Sequence, residues 1–154
     1  MRRILIASLA AMGLLVATPS AVYAADEWYT SSTDPSSKGY GYVGVTWSSA
    51  GNVTQSLDMW RTNNYVSLKS WINDEKEDGY CAGQEIAYQV YVNGAWSGYH
   101  HRMVPNFDCS HNGDGNIGAF YYSKYKTRNV HARACHVNSS GAKIHCESNW
   151  HGPI

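Results

Sequence analysis

The sequence predicts an all-β fold, a single antiparallel β-sandwich of about eight short strands tied by two local disulfides. Three observations carry that expectation. Behind the first two dozen residues the chain is rich in Tyr, Trp and Gly and poor in Leu and Glu, a composition that suits pleated strands joined by tight turns. Apolar and polar residues alternate with period two over several stretches, the pattern of strands with one buried face. The four cysteines fall where two hairpins would bring them together.

Met1-Arg2-Arg3, an apolar run from Ile4 to Ala17 and the small-residue ending Val22-Tyr23-Ala24 read as a secretory signal peptide, residues 1–24. The apolar run is too short to anchor the mature chain in a bilayer. Export puts the cysteines in an oxidising compartment, where disulfides persist. What remains, residues 25–154, is enough for one domain with one core. Arg2 and Arg3 would leave with the leader, turning an even balance of 12 basic and 12 acidic residues into a slight acidic excess. Nucleic acid and anionic membranes both demand a basic face, so neither is an expected partner.

Residues 25–38, ADEWYTSSTDPSSK, are polar and without periodicity, and read as a flexible N-terminal arm. The sandwich is expected over 39–154. Its first strand runs from Tyr40 to Trp47. Then Val53, Gln55, Leu57 and Met59 alternate with Thr54, Ser56, Asp58 and Trp60, and Val66, Leu68, Ser70 and Ile72 with Tyr65, Ser67, Lys69 and Trp71. An acidic loop, 73–79, precedes a strand from Gln84 to Val92. Asn93-Gly94 is a strong hairpin signal, because a type I′ turn needs positive φ at both central positions. Trp96–Met103 should return beside that strand. A long polar loop follows Pro105, and further strands are expected at 117–122, 127–137 and 142–150.

A two-residue turn at Ser140-Gly141 sets Val137 opposite Ile144, His136 opposite His145 and Cys135 opposite Cys146. Directly opposed cysteines are within bridging range, so a Cys135–Cys146 cross-strand disulfide follows. Cys81 and Cys109 remain, flanking the Asn93-Gly94 hairpin, and pair to close its base. No CxxC spacing suggests a zinc site in their place.

Seven histidines and the loop Asp108–Asn116 invite metal hypotheses. His136 and His145 share a face, but His131 falls on the opposite one, and His100, His101 and His111 are distant. The loop has oxygen ligands at alternate positions, yet Ala119 stands where a calcium loop places its bidentate Glu. No metal or other cofactor is therefore expected. No GxSxG, no HExxH and no free cysteine points to catalysis, and the expectation is a protein that is not an enzyme. The surplus chemistry is aromatic. Trp60 and Trp71 lie on the strand faces opposite the apolar ones, and Trp28 and Tyr29 stand adjacent in the polar arm, a candidate anchor for a partner's cleft.

The closing segment RNVHARACHVNSSGAKIHCESNWHGPI, with Arg133, Cys135, Cys146, Trp150 and Pro153, resembles the end of a recurrent type of small secreted actinomycete β-sandwich protein. Leader, mature length and cysteine hairpin agree with that type over residues 39–154. Within it, the chain is similar in architecture to the small adaptor subunit of secreted umbrella toxin particles. That resemblance implies a non-catalytic adaptor linking lectin-bearing, trypsin-like subunits to the stalk of a large polymorphic toxin, with its N-terminal arm in a cleft of the lectin subunit. The function expected is a secreted protein-binding module of this kind. The alternatives are a carbohydrate-binding module using exposed Trp and Tyr, and a small protease inhibitor.

Overall fold

The computed structural model describes residues 27–154, so the expected signal peptide lies outside the described residues. Among the described residues there are ten strands: β1 (Trp28–Ser31), β2 (Gly41–Ala50), β3 (Val53–Thr62), β4 (Tyr65–Asp74), β5 (Cys81–Val92), β6 (Ala95–Trp96), β7 (His100–Asp108), β8 (Asn116–Ser123), β9 (Thr127–Val137) and β10 (Lys143–Cys146). They form two antiparallel sheets packed face to face. One runs in the order β1-β8-β4-β3-β2; the other runs β10-β9-β5, with β6 and β7 both pairing β5. The fold is the β-sandwich expected. Among the described residues no helix is long and apolar enough to cross a membrane.

Three of the hairpins turn on two residues. Ala50 opposes Val53, Thr62 opposes Tyr65 and Val92 opposes Ala95. The residues between them, Gly51-Asn52, Asn63-Asn64 and Asn93-Gly94, all have positive φ, as a type I′ turn requires of both its central residues. Asn tolerates that region because its short amide bonds locally.

The two strands beyond the expected eight have separate causes. The returning strand over 96–103 is interrupted at Ser97–Tyr99, giving β6 and β7, and β7 continues through Pro105 to Asp108 where a loop was expected. Pro105 is tolerated because it lies at an irregularity in the register of β7, an edge strand paired only to β5. The other extra strand corrects the reading of the arm. Residues 28–31 pair with β8, Trp28 opposite Ser123 and Ser31 opposite Phe120, and Pro35–Lys38 form a one-turn 3₁₀ helix capped by Asp34, whose Oδ1 accepts from Ser36 N at 2.8 Å. The domain thus includes residues assigned to a flexible arm. The ladder to β8 satisfies a polar backbone that has no periodicity of its own.

Both disulfides form as expected, Cys81–Cys109 and Cys135–Cys146. In the last hairpin Cys135 opposes Cys146 and His136 opposes His145, but Val137 opposes Lys143 and not Ile144. The turn is longer than two residues: Asn138 N donates to Ala142 O and Gly141 N to Asn138 O. An irregularity at Ile144 absorbs the extra residue and restores the register at the cysteines. Beyond β10 the chain runs beside β9, where His151 bridges Ala132 and Ile154 N donates to Val130 O at 3.0 Å.

The core lies between the sheets and is built from the apolar positions of the period-two strands: Leu57, Met59, Val66 and Leu68 face Ile86, Val90, Val130 and Ala132. Gln55, on the same face as Leu57, is fully buried with Gln84. A polar chain links the two, with Gln84 Oε1 left without a hydrogen-bond partner. Gln84 donates to Gln55 Oε1, Gln55 to Ser48 Oγ at 2.9 Å, and Ser48 to Glu147 Oε1 at 2.6 Å, so hydrogen bonds tie the two sheets through their interior.

Candidate binding surface

The two arm aromatics part company. Trp28 is fully buried, stacked on Tyr121 and edge-on to Tyr88. It belongs to the core and cannot anchor a partner, which corrects the role expected of it. Pairing of β1 with β8 sets alternate side chains on opposite faces, and Trp28 takes the inner one. Tyr29 takes the outer one, 42% exposed, with its ring stacked on Tyr122 at 5.3 Å.

That outer face of the first sheet gathers most of the surplus aromatics. Register sets Tyr42, Trp60, Ser67, Tyr122 and Tyr29 in one row across all five strands. Val45, Asp58, Lys69, Phe120 and Ser31 form the next row, and Trp47, Ser56, Trp71 and Ile117 the third. Tyr42, Val45, Trp47 and Ile117 are each more than half exposed. Sequence alternation flagged Trp60 and Trp71. Tyr42, Trp47 and Ile117 escaped it because their rows depend on β2 and β8 joining the sheet at particular registers.

Around Trp60 the rings of this face pack on edge. Tyr42 meets Trp60 at 68° and Trp60 meets Phe120 at 82°, with centroids 5.4 and 5.6 Å apart. Lys69 Nζ caps Phe120 at 4.7 Å, and Tyr42 O–H donates to Asp58 Oδ1 at 3.0 Å. The result is a ribbed apolar surface around Trp60 with Asp58 and Lys69 opposed in its middle row.

The outer face of the second sheet holds a concavity of about 250 Å³ lined by Ala87, Tyr99, His101, His131 and Trp150. The Tyr99 hydroxyl and His131 Nε2 lie 3.2 Å apart. Burial lowers the His131 pKa, favouring the neutral ring. Trp150 stacks on the Arg133 guanidinium at 4.3 Å. Arg133 in turn donates to Glu85 Oε2 from Nε and Nη2 at 2.9 and 2.7 Å, and Lys143 Nζ reaches Glu85 Oε1 at 2.8 Å. Burial pushes the Glu85 carboxyl up, but its two cationic partners outweigh that and hold it below the ordinary carboxylate value.

Other clusters bear on the metal and catalytic readings. His136 and His145 stack at 4.4 Å, with Tyr80 on edge to both and Asp78 Oδ2 3.9 Å from His136 Nε2. Among the described residues the trio of metal-type ligands that comes together is Glu85, Cys135 and Cys146, and the last two are spent in a disulfide. The Asp108 loop satisfies itself: Asp108 Oδ1 accepts from Ser110 N, Oδ2 from Asp74 N, and Asn112 Oδ1 from Asp114 N. At the other end of the sandwich the buried Glu27 joins Tyr88 O–H at 2.6 Å and His100 Nδ1 at 2.8 Å. Burial and the neighbouring Glu27 raise the Tyr88 pKa, so the phenol stays protonated and donates.

Compared with protein-family models, with curated proteins and with solved structures, the chain matches none. Fold and surface define it as a disulfide-tied all-β sandwich with an aromatic outer face.

Proposed function

We propose that the protein is a secreted, non-catalytic protein-binding module that docks its partner on the outer face of the first sheet. One observation carries this reading: Tyr42, Val45, Trp47 and Ile117 stand more than half exposed together, around partly buried Trp60 and Trp71. A contiguous apolar patch rimmed by polar groups is the mark of an interaction site, and aromatics dominate the energy of such contacts. Edge-on rings interleaved with valine and isoleucine suit the irregular side chains of a protein more than the flat face of a sugar. The specific role proposed is that of an adaptor linking lectin-like subunits to a large toxin in a secreted antibacterial complex. It rests on the resemblance of the closing hairpin and on the two disulfides, which fit an oxidising compartment. With residues 28–31 paired to β8, an inhibitor that places the N-terminal arm in a protease cleft loses its support.

The second reading, carbohydrate recognition, is favoured by the concavity at Tyr99, His101, His131 and Trp150, where aromatic walls and ring nitrogens converge. Affinity capture from culture supernatant separates the two. The adaptor reading expects large secreted proteins to co-purify, and expects Trp47→Ser with Ile117→Ser to lose them while the melting temperature holds. Unchanged capture by that double variant would remove the face from the proposal. Retention on a glycan array, abolished by Trp150→Ala and without a protein partner, would establish the second reading.

A further inference from the structure

The edges of the two sheets are not equally guarded. Unpaired strand edges invite other chains, and proteins blunt them with short strands, charges or proline. Here β1 and β10 have four residues each, β6 has two, and β7 carries Pro105 with Arg102 and Asp108. The remaining edge, β2, has ten residues, GYVGVTWSSA, with no charge and no proline.

Its backbone is half used. Ala50, Ser48, Thr46 and Gly44 oppose Val53, Gln55, Leu57 and Met59. Behind a two-residue turn these are the hydrogen-bonded pairs, so the N–H and C=O of Val45, Trp47 and Ser49 point away from β3. Among the described residues no backbone hydrogen bond outside the ladder reaches them. A bulge between Tyr42 and Gly44 ends the regular stretch on one side and the Gly51-Asn52 turn ends it on the other. The midpoint of Gly44–Ala50 is Trp47, itself one of the outward-bonding residues and 61% exposed.

We propose that β2 is a self-pairing edge: two copies of this chain join antiparallel about a two-fold axis at Trp47, making one continuous sheet. In that register Trp47 exchanges bonds with Trp47 of the second copy, and Val45 with Ser49, so each outward donor meets an outward acceptor. An axis at Thr46 sends Ser49 to the bulge, and one at Ser48 sends Val45 to the turn. The strand is uncharged, and without Arg2 and Arg3 of the leader the chain has only a slight acidic excess, so little like-charge repulsion opposes the approach of a second copy. The two indoles cover each other, and the two aromatic faces become one. The inference shares Val45 and Trp47 with the partner face proposed above, but its readouts are taken on the purified protein alone and need no partner.

Sedimentation of the purified protein over micromolar to millimolar concentration, with amide hydrogen exchange in parallel, tests it. A monomer–dimer equilibrium is expected, with protection of the Val45, Trp47 and Ser49 amides rising with concentration. Trp47→Pro removes an outward N–H without touching the β3 ladder, and Val45→Lys adds a charge to the edge. Each should weaken the dimer at least tenfold while the melting temperature holds, and Val45→Lys decides the matter if the proline variant fails to fold. A monomer throughout, or a dimer whose three amides exchange at the monomer rate, overturns the proposal. Protection that appears only when the captured partner is added assigns the edge to another chain and also overturns it.

Discussion

Trp28 lies flat against Tyr121, ring centroids 5.0 Å apart and planes 8° apart, with Tyr88 on edge at 5.1 Å. A residue near the N-terminus of the described chain thus sits among the side chains that join the two sheets. Stacked and edge-to-face aromatic pairs add about 0.5–1.5 kcal/mol beyond their buried area.

Trp28→Ala should therefore cost about 3–5 kcal/mol of stability in urea unfolding, the range for a buried aromatic truncated to alanine. Tyr29→Ala, on the half-exposed outer face, should cost well under that. Equal, small losses at both positions would mean that β1 contributes little to the fold.

The two disulfides should differ in worth. Chain entropy scales with the loop closed, and the separations are 28 residues for Cys81–Cys109 and 11 for Cys135–Cys146. Replacing both cysteines by alanine should cost about 3.5 kcal/mol for the first pair and about 3 kcal/mol for the second on loop closure alone. The second bridge also packs over the buried Glu85, 3.6 Å from Cys146 Sγ. A loss for that pair clearly above the loop value would measure this covering role.

Local chemistry explains what the sequence revealed of the fold. Asn93-Gly94 and the alternation around Leu57 and Leu68 speak within a few residues, and so does the Cys135–Cys146 register, which survived a mistaken turn because an irregularity at Ile144 compensated. Trp28 could not be placed this way. Its slot is made by Tyr88 and Tyr121, far along the chain, and its own neighbours are polar. The candidate surface was half legible for the same reason. Trp60 and Trp71 lie on two strands joined by a tight turn, whereas Trp47 and Ile117 reach the face through β2 and β8 from either side. The concavity at Trp150 draws on β5, β7, β9 and the closing segment, and no single stretch announces it.

Acid should unfold the protein partly through Glu85. Its folded-state pKa is depressed, so the stability it contributes is present above its unfolded value near 4.5 and is lost as pH falls from there through the lower folded value. Glu147 behaves likewise: burial pushes it up, but bonds from Ser48, Ala134 N and His151 leave it lowered. Glu85→Gln should lower the melting temperature at pH 7 and flatten its decline below pH 4.5. An unchanged acid limb would mean that the Arg133 and Lys143 pairs persist in the unfolded chain.

Asp74 should act with the opposite sign. It is buried at the end of β4, and burial, the largest cause, raises its pKa; the Lys76 N–H comes next and lowers it, and the nearby Asp78 and Asp108 carboxylates raise it further. A raised folded pKa means that the folded state binds the proton more readily, so stability rises as pH falls through the folded value toward the ordinary 3.8. At neutral pH the ionised carboxylate is a cost. Asp74→Asn keeps an acceptor for Lys76 N and removes the charge, so it should raise the melting temperature at pH 7. That gain should shrink as pH falls and vanish below 3.8, where the native residue is itself neutral in both states. A variant less stable than the parent at pH 7 would show that the charge is compensated there.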